Sequence, residues 1–503
     1  MARIAVIGAG MGAMAAAARL AVAGHRVAVY ERTETYGGAV RRLERDGFAF
    51  DTGPGLLTLP AVYRDLFVKT GREPLEDCVE LVQVDPSSRH LFADGTEVRL
   101  PNASRGGVVA ALEEALGAGA GKRWGDFLIR AREAWDRTRR PLLEEPLWPD
   151  WQVLAAKEPY PAVPHKRLLR TRRASTPAEI AAWELRDERL GALLYSQVLG
   201  YGLDPRSAPA SAAVLPYMEH AFGTWYVRGG IRELARAVYE RCLARRVEFV
   251  FGAEVTRIVE KDGRAAGVEL GDGSVAEADQ VVADVHPARL AALTGHPLDA
   301  EGDVRAAADA FRPGRFTVSL ALRGGREADA VHRTVVHAPD EEAELDFLVS
   351  PGGDLPRCPT VTVLRPDDPA LRPDDAHESV VLSAVVPADA GWDRPDTVRR
   401  YTDLVLEAAR AAVPGLPDRV LWQEVRTPAH TAEETGASLG AVPAPALAAG
   451  QGRFLHPANT TRLPGLYRAG GWSHPGGGLA HAGMSGALVA GLIVEGPEFR
   501  GSQ

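Results

Sequence analysis

A chain of 503 residues is too long for one simple domain and accommodates two or three structural units. Its 46% hydrophobic and 25% charged residues exclude a disordered or fibrous protein, and a net charge of −9 argues against a dedicated nucleic-acid binder. Cys78, Cys242 and Cys358 stand far apart, with no CxxC and no Cys/His pair at metal-ligand spacing. The pattern implies neither a metal site nor a disulfide framework, and it suits a reducing cytoplasm.

The chain begins with a βαβ pattern. Arg3 to Ile7 reads as a short buried strand, Gly8 to Gly12 as a tight turn, Ala13 to Ala23 as a helix of good formers and Arg26 to Tyr30 as a second strand. A glycine pair at 37–38 follows, then an alternating stretch from Leu43 to Asp51 and a Gly-Pro-Gly turn at 53–55. From about Pro101 to Ala221 the periodicity turns helical, as in Gly107–Leu116 and Trp124–Trp135. Gly229-Gly230 opens a helix over 231–245, and a strand series runs from 247 to 283. Between about 290 and 455, short strands alternate with Pro/Asp-rich loops and one helix, Thr397 to Ala412, which predicts a mixed sheet. The last fifty residues return to a strand at Leu466–Ala469, a glycine turn and a terminal helix. No stretch of about 18 uncharged apolar residues predicts a membrane span.

Gly8-Ala9-Gly10-Met11-Gly12-Ala13 matches the dinucleotide fingerprint G-x-G-x-x-A, with a strand before it and a helix after it. Gly8 permits the sharp turn, Gly10 lets the backbone approach a pyrophosphate, and small Ala13 lets the helix pack on the strand. The helix N-terminus offers partial positive charge to the phosphates. Glu31 ends the second strand, where a carboxylate accepts hydrogen bonds from a ribose diol and disfavours a 2′-phosphate. The adenosine of FAD or NAD therefore fits. No Ser/His/Asp order, HExxH or Walker loop competes for a catalytic role.

Glu31-Arg32 runs on through Tyr36-Gly37-Gly38 to Asp46-Gly47-Phe48-Ala49-Phe50-Asp51-Thr52-Gly53-Pro54, which resembles the FAD-binding signature of the amine oxidase and phytoene desaturase superfamily. The segment from Val247 to Ile258 resembles the family's adenine-binding stretch, with Val255 at the position whose backbone bonds the base. Ala221-Phe222-Gly223-Thr224-Trp225-Tyr226-Val227-Arg228-Gly229-Gly230 resembles its GxWYxxGG segment. Leu463 to Gly478, ending His474-Pro475-Gly476-Gly477-Gly478, resembles its HPGGG hallmark near the flavin. Two departures stand out: the position after the glycine pair is Ala39, where Arg41 or Arg42 could replace a family arginine, and His481 puts a titratable group near the flavin face.

The resemblance to the phytoene desaturase (carotenoid desaturase) family implies an α/β fold. A discontinuous Rossmann-like FAD-binding domain (1–100, 221–290, 456–503) would carry an inserted α+β substrate domain (291–455) and a helical cap (101–220). FAD would be held by Gly8, Gly10, Gly12, Ala13, Glu31, Arg32, Gly38, Gly53, Val255, Gly470 and Gly471. Trp225, Tyr226 and Trp472 would line a substrate tunnel or serve as plain core. His481 and His474 would act as acid/base groups or brace the glycine turn, and His220 with Glu219 would form a proton-handling pair or a surface pair. The implied reaction is C–C desaturation of a large apolar isoprenoid such as phytoene or another carotenoid, with hydride passing to flavin N5 and electrons on to oxygen or a quinone. The same scaffold could serve a redox cyclase acting on a polyketide-type polyene in natural-product biosynthesis, or a non-catalytic carrier of an apolar ligand. The run Lys166-Arg167-Leu168-Leu169-Arg170-Thr171-Arg172-Arg173 is either a solvated loop or a patch that docks the protein at the inner face of the membrane.

Overall fold

The opening strand, glycine turn and alanine-rich helix seed a five-stranded parallel sheet. The computed structural model describes residues 1–165, 170–299, 312–349 and 355–501. In spatial order the sheet runs Glu248–Val250, Arg26–Tyr30, Arg3–Ile7, Gln280–Ala283 and Leu466–Arg468. The N-terminal strand lies at its centre, and three of the five strands arrive from distant parts of the chain, so the nucleotide-binding layer is discontinuous. The helix Met11–Val22 is buried on nearly every side, from Met11 through Ala18 and again at Leu20. It can be, because its side chains are small: the Cβ missing from Gly486 of the terminal helix Leu479–Val494 would lie only 2.4 Å from the Gly12 carbonyl oxygen.

A seven-stranded mixed sheet forms the second layer, in the order Val420–Arg426, Pro313–Arg323, His377–Pro387, Val361–Leu364, Arg333–Val336, Ser88–Leu91, Glu97–Leu100. Neighbours are antiparallel except for the parallel pair 333–336 and 88–91. Strands 88–91 and 97–100 thus join the mixed sheet, although the sequence pattern places everything before residue 100 in the nucleotide layer. Short strands of either layer have the same alternation, and only the choice of partner separates them. An aromatic cluster of Phe316, Trp392 and Tyr401 anchors this sheet against the helix Pro395–Ala409.

The helices Arg105–Leu116, Ala120–Arg139, Glu188–Gly200 and Val214–Phe222 share one apolar core and make the cap. The long helix 120–139 runs into a widened turn at Arg140–Glu144, where Pro141 has no N–H to continue the regular ladder. Within the basic run, 166–169 lies outside the described residues. Arg170–Arg172 form a short strand paired with 163–165, and the Arg172 guanidinium lies 3.9 Å from the Trp183 ring centroid. Among the described residues no helix is long and apolar enough to cross a membrane.

Two carboxylates, Asp368 buried and Asp51 half-buried, fix the backbone at 229–232. Asp368 accepts hydrogen bonds from the Tyr226 hydroxyl (2.7 Å), Gly229 N–H (2.6 Å) and Ala370 N–H (2.9 Å). Asp51 accepts from Ile231 N–H (2.8 Å) and Arg232 N–H (3.2 Å) at the start of the helix Arg232–Ala244. Burial raises the Asp51 carboxyl to about 6. Asp368→Ala strips three donors of their shared acceptor at a site 1% exposed. It is expected to lower the unfolding free energy by about 2–4 kcal/mol, read as a shift in the denaturant midpoint at unchanged slope.

Candidate functional site

The C-terminal edge of the parallel sheet gathers three glycine-bearing segments. Gly8, with φ +92°, makes the sharp turn out of the first strand. The 37–38 pair closes over the loop: Gly37 N–H donates to the Ala9 carbonyl at 2.7 Å, and a Cβ on Gly38 would come within 3.1 Å of Gly10 Cα. From the other side, a Cβ on Gly12 would meet Gly470 Cα at 2.7 Å and the Ala482 carbonyl oxygen at 3.0 Å. Gly53 stands against the Ala39 carbonyl, and Gly471 against Pro443. The result is a backbone-lined cradle at the N-terminus of the helix 11–22, which suits an anionic diphosphate.

Glu31, 8% exposed, is fixed at the rim. Its Oε2 accepts from Ala9 N–H (2.8 Å) and its Oε1 from Thr33 N–H and the Thr33 hydroxyl (both 2.9 Å). The backbone of 252–253 bonds back to Thr33 and Glu31, so the segment leading to Val255 flanks the Glu31 rim of the cradle. Val255 itself is buried, and its carbonyl accepts from Arg289 at 3.0 Å. Arg32 bonds the Glu433 carbonyl and leans towards Gly436. Arg41 is the arginine that embraces the glycine pair: Nε donates to the Gly38 carbonyl (2.9 Å) and Nη2 to the Thr33 hydroxyl (3.2 Å). Arg42 turns away to the Gly229 carbonyl at 3.0 Å.

One carboxylate in the cradle was not foreseen. Asp284 follows the strand 280–283 directly, and its Oδ2 accepts from Ala13 N–H at 3.1 Å. A Cβ on Gly10 would lie 2.6 Å from Oδ2, and one on Gly470 only 1.8 Å from Oδ1. Loss of solvent, with Glu31 nearby, lifts this carboxyl to about 7. The signal was present in the sequence as an acid ending a strand of the nucleotide layer, but its pairing with the first loop, 271 residues earlier, is tertiary.

The first turn of the terminal helix links the cradle to a cavity. Ala482 faces Gly12, while the preceding His481 lines an apolar cavity under the cap with Trp135, Leu142, Leu143, Leu215 and Met218. The His481 ring is 7% exposed, and no partner bonds it among the described residues. Burial pushes it down to about 4, so it is neutral near pH 7. His474 has a different role. Fully buried, it bonds the Glu145 carbonyl through Nε2 at 2.9 Å, while its own carbonyl accepts from Asn459 at 2.8 Å. It braces the glycine turn and does not line the cavity.

The aromatic expectations are revised likewise. Trp225, Tyr226 and Trp472 do not line this cavity. Trp225 donates to the Phe222 carbonyl beneath Arg64, Tyr226 is committed to Asp368, and Trp472 packs edge-on to His286. Trp135, on the cap, is the tryptophan that reaches the cavity, while Trp225 is held by a local backbone carbonyl and Trp472 by the His286 ring. Glu219 pairs with Arg333 at 2.8 Å rather than with His220.

The residues present fit FAD: a cradle that any Cβ would fill, a fixed acceptor for the ribose and a second glycine turn against the first. Gly10→Ala meets only the movable Asp284 side chain, whereas Gly12→Ala meets backbone. Gly10→Ala is expected to keep its far-ultraviolet dichroism while flavin per protein, read from visible absorbance after purification, falls at least about tenfold. Gly12→Ala is expected to lose thermal stability as well.

Comparison with known proteins agrees with this geometry. The sequence profile of the flavin containing amine oxidoreductase family matches residues 14–494. The 4,4'-diapolycopene oxygenase of Methylomonas sp is 28% identical over 505 residues, covering 98% of both chains. The hydroxyneurosporene desaturase of Cereibacter sphaeroides is 30% identical over 515 residues, covering 98% of this chain and 97% of its own. A crystal structure of an oxidoreductase from Methanosarcina mazei superposes with a TM-score of 0.63 at 18% identity, covering 97% of this chain and 99% of that one, and shares the fold. The chain therefore belongs to the flavin containing amine oxidoreductase family, as an FAD-dependent oxidoreductase of the phytoene desaturase-like group.

Proposed function

We propose that this protein desaturates a carotenoid or a closely related long isoprenoid polyene. The observation that carries the reading is the position of His481: a neutral imidazole, without a partner among the described residues, that shares one helical turn with the cofactor cradle and lines a mostly apolar cavity. Relatives named for diapolycopene, hydroxyneurosporene and phytoene support the substrate class. They lend no support to a polyketide-type polyene or to a non-catalytic carrier.

The net change at the substrate is the loss of two hydrogens from adjacent carbons and the gain of one C=C bond. FAD, when bound, supplies the acceptor for the hydride. The remaining proton must leave the neighbouring carbon, and once hydride departs that C–H is acidic enough for a weak base. His481 can take it because its ring is neutral and, among the described residues, nothing else bonds it. Among the residues lining the cavity it is the only neutral base; Arg139 is cationic. The cap helices contribute Leu142, Leu143, Val214, Leu215 and Met218 to the wall of this small cavity of about 20 Å³, and their apolar surface would pack against a polyene chain by area burial. Gly8, Gly10, Gly12, Ala13, Glu31, Gly38, Gly53, Val255, Gly470 and Gly471 would hold the cofactor, Arg41 would brace the glycine pair, and Arg32 would stand at the outer rim. His474 would keep the 470–478 turn in shape.

The electron acceptor, oxygen or a quinone, and docking at the inner face of a membrane through 166–173 belong to the same proposal. A substrate that resides in lipid needs a protein able to meet it there. Arg170 and Arg172 present cations beside the cap, although 166–169 lies outside the described residues.

The test is anaerobic mixing of FAD-loaded protein with phytoene, and separately with hydroxyneurosporene, in liposomes. Bleaching of the flavin band, together with a product lighter by two hydrogens, is expected with at least one of them. A product that gains oxygen under air and shows no anaerobic bleaching would instead assign oxygenase chemistry. His481→Phe is expected to slow bleaching by about 10²-fold or more at unchanged flavin content. His481→Phe bleaching at the wild-type rate would remove the proton-acceptor role.

A further inference from the structure

The cofactor cradle contains a carboxylate where the arriving ligand is itself an anion. The diphosphate of a dinucleotide approaches the second glycine of the fingerprint and the amides that open the following helix. Here those places are Gly10 and the start of the helix 11–22, and Asp284 occupies both: Oδ2 bonds Ala13 N–H at 3.1 Å and lies 2.6 Å from where a Gly10 Cβ would be. Gly470 and Gly8 close round the same residue, with a Cβ on Gly8 falling 3.0 Å from the Asp284 carbonyl oxygen.

The groups that face Asp284 offer no compensating charge. The 8–13 loop and the 470–471 turn carry no ionisable side chain. Glu31, from the end of the strand 26–30, adds a second negative charge, and His286, two residues further along its own segment, packs against Trp472. Among the described residues no lysine or arginine pairs with Asp284. A carboxylate left ionised here would oppose a diphosphate at short range in a site shielded from water. A protonated carboxyl would be neutral and could donate a hydrogen bond to a phosphate oxygen.

We propose that Asp284 makes FAD binding proton-linked: the cofactor is bound with Asp284 protonated, so each FAD taken up above neutrality brings a proton with it. Loss of solvent already raises the free carboxyl to about 7, which places the onset of the effect in the physiological range. The sign follows from linkage. The bound state holds the proton more tightly than the free state, so affinity is greatest below the free-state pKa and falls as pH rises above it, until the bound-state pKa is reached. For one proton the limit is a tenfold rise in Kd per pH unit. Bound FAD would then be retained at low pH and shed in alkaline buffer.

The measurement is FAD affinity of the deflavinated full-length protein by titration calorimetry from about pH 6 to about pH 9, in pairs of buffers that differ in ionisation enthalpy. Wild-type protein is expected to lose affinity above about pH 7, approaching tenfold per pH unit, and to take up close to one proton per FAD near pH 8. Asp284→Asn keeps an acceptor for Ala13 N–H and removes the charge. Its Kd is expected to be independent of pH and tighter than wild type near pH 8, with no proton uptake. A wild-type Kd that stays flat without proton uptake, or a slope unchanged in Asp284→Asn, would overturn the proposal. If the variant does not fold, a wild-type protein that takes up no proton with FAD near pH 8 still overturns the proposal. Wild-type protein that binds FAD at no pH would overturn the cofactor assignment itself, a result distinct from pH-independent binding.

Discussion

The structure depends on one steric constraint: three backbone segments meet at Gly12 with no room for a side chain. Gly470 and the Ala482 carbonyl press on it from the C-terminal part of the chain, and the Gly12 carbonyl in turn presses on Gly486. This contact lets the terminal helix lie against the first one and closes the discontinuous layer, joining residues more than 450 positions apart. It also fixes where the terminal helix begins. The start of that helix sets both the wall of the cradle and the orientation of His481, so cofactor site and cavity are positioned by one contact.

Electrostatics in this region follow from burial more than from ion pairs. The nearby histidines His456, His474 and His481 are all pushed down to about 4, so these imidazoles carry no positive charge near neutrality. Asp284 moves the other way, up to about 7, for the same reason: the charged form is the one that loses solvent. Neutral imidazoles beside a mostly apolar wall would suit an apolar polyene, and an anionic cofactor would be held by backbone amides and a helix terminus. The strong ion pairs lie elsewhere. Arg365 and Arg419 on Glu378, and Arg333 on Glu219, hold the mixed sheet and join it to the cap.

The division of the chain into layers was only partly legible. The parallel layer could be read because the glycine spacing, the strand before it and the acid after it are local and mutually consistent. The assignment of 88–91 and 97–100 could not, since an edge strand of four residues has no local feature that names its partner. The same limit explains the aromatics. Trp225 and Tyr226 stand in a motif that suggests a tunnel, yet a tryptophan N–H seeks a carbonyl and a tyrosine hydroxyl seeks a carboxylate. Both found them in the frame. His474 follows the same logic, because a buried imidazole beside a backbone carbonyl becomes a brace.

By itself, the sequence determined the glycine loop between its strand and helix, the acid that closes on that loop from the second strand, the family and FAD, because these rest on short-range geometry that residue type and spacing dictate. Only the tertiary structure decided which histidine faces the cavity, which arginine serves the glycine pair, and that Asp284 lies in the cradle. Each of those depends on side chains brought together from segments far apart in the chain, where spacing carries no information and only close packing selects the neighbour.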